Sequence, residues 1–190
     1  MLIATSLAAI VITISAPADV DRSLLDRVTA EADAIWRSTG LSIQWERHSD
    51  LAAAGRLHVV VGRDRANASE YLQPLGWIRF DHGAPTAELY LSYANTVTLL
   101  ETSRGALGLG HNMTLLERNV YLSRAMGRAL AHELGHYLLA STAHTRDGLM
   151  KANRSAIEFF SPDRRRFSVA PSEWHRITAR LESEMHIASE

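Results

Sequence analysis

His132, Glu133 and His136 stand in the order H-E-x-x-H. In a helix, positions four apart lie nearly one above the other, with about 6 Å of rise between their Cα atoms, so two imidazoles so placed can meet at one metal ion. Neutral imidazole binds Zn²⁺ at about 2.0 to 2.1 Å, and a catalytic zinc typically keeps three protein ligands and one position for water. Glu133 is offset by about 100° around the same helix, too far round for a natural third ligand. It is placed instead to act as general base on a water held by the metal. Metal binding lowers the pKa of such a water to about 7, so the expected chemistry is attack on a polarised carbonyl. Peptide hydrolysis is the reaction this predicts.

The third ligand must come from outside the pair. His144 is the leading candidate, and it requires the helix to end between Tyr137 and Ala143 and the chain to turn back. Ala140-Ser141-Thr142 is a weak terminus, because hydroxyl side chains compete for backbone hydrogen bonds, and no glycine marks a left-handed stop. Glu158, some way downstream, is the alternative, completing a His₂Glu set.

With these residues in hand, the stretch resembles the zincin metallopeptidases, and within them the metzincin type. The features that carry the resemblance are the third histidine soon after the helix, the neighbouring hydroxyl of Thr145, and Met150 in Gly148-Leu149-Met150. The resemblance implies His132, His136 and His144 as ligands of one zinc per chain, Glu133 as base, and Met150 as a packing platform beneath the metal. It departs from H-E-x-x-H-x-x-G-x-x-H in two places: His144 comes two positions late, and Leu139 stands where the turn glycine belongs. Zincins line their cleft with an antiparallel edge strand that pairs with extended substrate. By resemblance that edge is Gly76, Trp77, Ile78 and Arg79, with an ordinary edge strand as the alternative.

A chain of 190 residues, 46% hydrophobic and 22% charged, is long enough for one buried core. The expectation is a single catalytic domain over 1–190, with an upper sheet lobe to about 139 and a lower lobe from about 140. The formal net charge of −1 offers no electrostatic case for nucleic acid or anionic membrane. The basic run Arg164-Arg165-Arg166 reads as a solvated turn. With no cysteines, thiolate zinc sites are excluded, leaving histidine and carboxylate donors. Leu2 to Ala16 is apolar, but no Lys or Arg precedes it as a secretory signal requires, and it is too short to span a bilayer. A buried strand over Ala9 to Ile14 is favoured, and a cytoplasmic location slightly over an exported one.

The elements that must position the site follow in order. Asp19 or Asp21 caps a helix through Leu24, Val28, Ala32 and Ile35, stopped by Gly40. Strands follow over Leu41 to Trp45 and Leu57 to Val61, completing a βαβ start to a mostly parallel sheet. A fourth strand, Leu75 to Phe80, turns at Asp81-His82-Gly83 into a fifth, Ala87 to Tyr93, of opposite direction. Ser103 to Asn112 reads as a flexible loop, with His111 a loop residue and no ligand. Thr114 and Glu117 make a capping box that opens a helix running through the histidines to about Leu139. A small cluster of Ile157, Phe159 and Phe160 comes next, then a helix from Pro171 whose stripe of Trp174, Ile177, Leu181 and Met185 packs on the core. The fold class expected is α/β, a zincin-like mixed five-stranded sheet with an active-site helix and a small C-terminal helical lobe.

Overall fold

The structure is a computed structural model that describes residues 10–47, 57–63, 74–110 and 112–187, with the side chains of 184–187 outside that set. Ala9, His111 and the side chain of Met185 therefore lie outside the described residues.

Short β-rich segments, continuous apolar runs in β1 and β3 and looser alternation elsewhere, lay down five strands among the described residues: β1 (Ile10–Ser15), β2 (Ile43–Arg47), β3 (Leu57–Gly62), β4 (Gly76–Asp81) and β5 (Ala84–Ser92). They form one sheet in the order β2-β1-β3-β5-β4. β1 pairs in parallel with β2 and β3, β3 pairs in parallel with β5, and β4 returns antiparallel to β5 through the turn at His82-Gly83. One side chain in two is core: Ile12, Ile14, Leu57, Val59, Val61, Leu89 and Leu91 are all buried. β4 ends the sheet, and a register shift between Ile78 and Phe80 interrupts its ladder.

Helix α1 (Arg22–Trp36) links β1 to β2. Asp21 caps it by accepting the Ser23 N–H at 2.9 Å, and a 3₁₀ turn over Arg37–Thr39 carries it to the left-handed Gly40. The fifth strand stops one residue earlier than its pattern suggests. Tyr93 opens a helix, α2 (Tyr93–Ser103), capped by Ser92, that the sequence reading assigned to no element. Its threonines at 96, 98 and 102 satisfy their hydroxyls on backbone carbonyls one turn back, which lets a poorly amphipathic, threonine-rich stretch hold as helix.

Helix α3 (Leu115–Leu139) is the axis of the molecule. Its capping box is formed as the sequence predicts, with Thr114 and Glu117 each satisfying the other's backbone. It packs on α1, α2, β4 and β5, and on α4 (Ala156–Phe160) and α5 (Pro171–Ile187) beyond it. Contact with α1 is closest at Gly127, where an added Cβ would fall 2.5 Å from Glu31 Cβ and 2.7 Å from the Val28 carbonyl oxygen. One residue on, the fully buried Arg128 pairs with Glu31 at 3.0 Å and donates to the carbonyls of Glu158, Phe159 and Asp163. A buried charge is tolerable only when so fully paired, and this one ties α1, α3 and the segment after α4 together. Arg164 joins the same Glu31 at 2.8 Å, so the basic run is not wholly a solvated turn; Arg165 and Arg166 do remain exposed. Among the described residues no helix is long and apolar enough to cross a membrane.

Candidate metal centre and its cleft

His132 and His136 share one face of α3, as a spacing of four requires. Their ring centroids are 4.7 Å apart and their Nε2 atoms 3.1 Å apart. The helix ends at Leu139 because Ala140 takes the left-handed conformation, φ 44° and ψ 48°. The expected turn-back is therefore made without glycine, one position after the residue at which the family pattern places it. Arg180 of α5 donates to the Tyr137 and Leu138 carbonyls at 2.6 and 3.3 Å, satisfying acceptors that a helix end leaves open. The reversal brings back His144, whose ring lies 5.3 Å from that of His132 and 4.8 Å from that of His136. One ligand atom from each of the three histidines falls within 4.8 Å of the others.

The outer ring nitrogens are already committed. His132 Nδ1 meets the Leu149 carbonyl at 2.8 Å and His136 Nδ1 the Ser141 carbonyl at 2.7 Å. A carbonyl accepts, so Nδ1 carries the proton on both rings and Nε2 presents a lone pair inward. Burial pushes His132 down to about 4, and lowers His136 as well; both are neutral at pH 7, the form that binds metal. Two lone pairs 3.1 Å apart repel unless a cation sits between them. Tetrahedral zinc with Zn–N near 2.05 Å asks for about 3.3 Å between donor atoms, close to the spacing of the His132–His136 pair, and His144 adds a third nitrogen donor within 4.8 Å of both. Glu158 is not part of it. Its carboxylate lies with Lys151, 3.1 Å away, and caps α4 through the Ser155 N–H at 3.0 Å.

Beneath the histidines the segment from Thr145 to Lys151 closes a tight turn. Thr145 N–H donates to the Met150 carbonyl at 2.9 Å, and Gly148, at φ 72°, passes so close to Ser168 that a Cβ would lie 2.9 Å from its carbonyl oxygen. Met150 is 1% exposed, and its sulfur sits where a side chain at Gly135 would be: a Cβ there would be 2.3 Å from Sδ. The glycine between the histidines thus lets the methionine reach the helix backbone. A glycine inside an otherwise strong helix is a readable sign of such close approach, one the sequence reading passed over.

Glu133 is 9% exposed and faces β4. The Ile78 N–H donates to its carboxylate, and at Gly76 a Cβ would lie 3.1 Å from Glu133 Cγ. Burial drives the Glu133 carboxyl up to about 7, against the opposing pull of that N–H. Glu133 and the three histidines share the wall of one cleft of about 660 Å³ with Gly76, Trp77, Ile78 and Phe80 of β4, but Arg79 of the expected edge is exposed and does not line it. The cleft is also lined by Lys151, Asn153 and Arg154, which the sequence analysis did not single out.

No family model matches the chain, and no curated protein does. Among solved structures, the chain is similar to the crystal structure of archaemetzincin from Methanopyrus kandleri, with a TM-score of 0.53 and 14% identity over 96% of this chain and 99% of that one. The fold is therefore archaemetzincin-like: among the described residues, a mixed five-stranded sheet with five α-helices.

Proposed function

We propose that this chain is a zinc-dependent metallopeptidase, with residues 1–190 acting as one catalytic domain and His132, His136 and His144 holding one zinc ion. The observation that carries the reading is the convergence of three imidazoles, two of them with their protons turned outward, beside a buried carboxylate in one cleft. The archaemetzincin-like fold supports it. When bound, zinc would supply Lewis-acid polarisation of the scissile carbonyl.

The chain's own residues do the rest. A carboxyl raised to about 7 is poised to take a proton from the attacking water and return it to the leaving amine near neutral pH. The Ile78 N–H fixes which way that carboxyl points, and Gly76 leaves it room. Beside it β4 presents an edge unpaired by any described strand, against which an extended peptide can lie as a further strand. Met150 is the packed floor under the histidines and donates nothing.

Two measurements test the reading. Mass spectrometry of purified protein should find about one zinc per chain, and much less in His144→Ala. A broad peptide library should be cut by the zinc-loaded protein, with kcat/KM about 10² to 10⁴-fold lower in Glu133→Gln. A wild type that takes up no zinc on reconstitution, or a loaded one that cuts no peptide, overturns it.

A further inference from the structure

The lining of the cleft is of two kinds. Trp77, Ile78 and Phe80 are apolar, whereas Lys151 and Arg154, from the segment after Met150, form a cationic wall. Lys151 directly follows Met150, and its backbone is held by the bridge to Thr145, so the floor of the metal centre fixes its position. Arg154 donates through Nη2 to the Leu149 carbonyl at 3.4 Å, the same oxygen that His132 Nδ1 meets at 2.8 Å. A guanidinium thus stands one carbonyl away from a candidate zinc ligand.

This wall is also short of negative charge. Six cations (Arg128, Lys151, Arg154, Arg164, Arg165 and Arg166) share three carboxylates, Glu31, Glu158 and Asp163, in the ion pairs behind it. Within these pairs the cations outnumber the carboxylates by three (6 − 3), although the chain as a whole carries −1. Arg154 is 3% exposed, yet its Nε and Nη1 have no hydrogen-bond partner among the described residues, and the nearest carboxylate oxygen to Nη1 is at 3.6 Å. Buried guanidinium donors ordinarily find acceptors. Lys151, one-third exposed, brings the charge to the cleft surface.

We infer that the Lys151–Arg154 wall is a carboxylate subsite, and that the substrate is a peptide bearing an acidic side chain or a free C-terminal carboxylate beside the bond to be cut. This rests on the metallopeptidase reading and specifies its substrate. A carboxylate here offsets the excess, with the one-third-exposed Lys151 as its direct partner and the buried Arg154 acting through its field; a lysine or arginine side chain is repelled.

The test is binding to the 190-residue Glu133→Gln chain, with and without zinc, by calorimetry. Three peptides share one alanine-rich sequence: one with an internal Glu and an amidated end, one with Gln and a free C-terminal acid, and one with Gln and an amide. A charge-assisted contact should make one of the two acids bind about tenfold tighter than the neutral peptide, and which acid wins tells side chain from terminus. The advantage should vanish in Lys151→Met, survive in Lys151→Arg, and shrink as salt is raised. Equal affinity for all three peptides, with none binding included, or an advantage that persists in Lys151→Met, overturns the subsite. Cleavage of the broad library by wild type decides the peptidase reading separately, so either can fail alone.

Discussion

Ala140 sits in the left-handed region at φ 44°, where an L-residue costs about 1–2 kcal/mol relative to glycine. Glycine in turn loses more freedom on folding, about 0.4–1 kcal/mol. Ala140→Gly should therefore stabilise the protein by about 0.5–1 kcal/mol in urea denaturation with zinc content unchanged; a destabilised variant would mean that the alanine methyl makes a contact worth more than the strain. Glu158 is a second residue whose surroundings make a prediction. Burial raises its carboxyl, but the Ser155 N–H, Lys151 and Arg154 outweigh this and hold it down to about 2 from an ordinary 4.5. A depressed folded value means stability that is present above about pH 4.5 and lost as the pH falls from there through about 2. Wild type should thus lose stability more steeply than Glu158→Gln over that window in acid titrations of thermal unfolding, and parallel curves would refute the ion-pair account. At this scale much was legible: H-E-x-x-H is read off directly because its spacing is local, whereas His144 stood against Glu158 as the third candidate until the fold brought His144 to the pair. The partners of the imidazoles were not. They are the carbonyls of Leu149 and Ser141, and a backbone oxygen carries no mark in the sequence.

At the scale of elements, α3 was the most readable and α2 the least. A capping box, a long apolar stripe and a charged start all agree on α3, and agreement between signals is what makes an element predictable. α2 has no such agreement. Its first residue continues the alternation of β5, and its threonines, weak helix formers, favour extended chain. The antiparallel return of β4 followed from a short, turn-forming connection, and the structure has it. Close approach between helices was not read, although Gly127 was visible. Because a methyl there would meet the Val28 carbonyl at 2.7 Å, α1 and α3 must separate to admit it. Gly127→Ala should cost about 1–3 kcal/mol in spite of alanine's better helix propensity. Chemical denaturation that shows a gain in stability would mean the helices yield without loss.

Across the whole molecule, α3 carries the histidine pair and Glu133 on different faces, and the fold supplies the surroundings of each. The sheet edge meets Glu133 through Ile78, while the chain after α3 returns His144 and Met150 from below. The buried Arg128 joins both sides through Glu31 and the carbonyls of Glu158 in α4 and Asp163 just after it. Met150 in its socket against Gly135 has a further use as a chemical clock. Its sulfur is reached by peroxide only when the floor parts from the helix, whereas Met113 is only partly covered. Peptide mapping after timed peroxide exposure should show sulfoxide at Met113 first and at Met150 much later, at a rate that zinc slows further if the ion clamps the floor to α3. The lag between the two sulfurs then reports how often the metal site breathes.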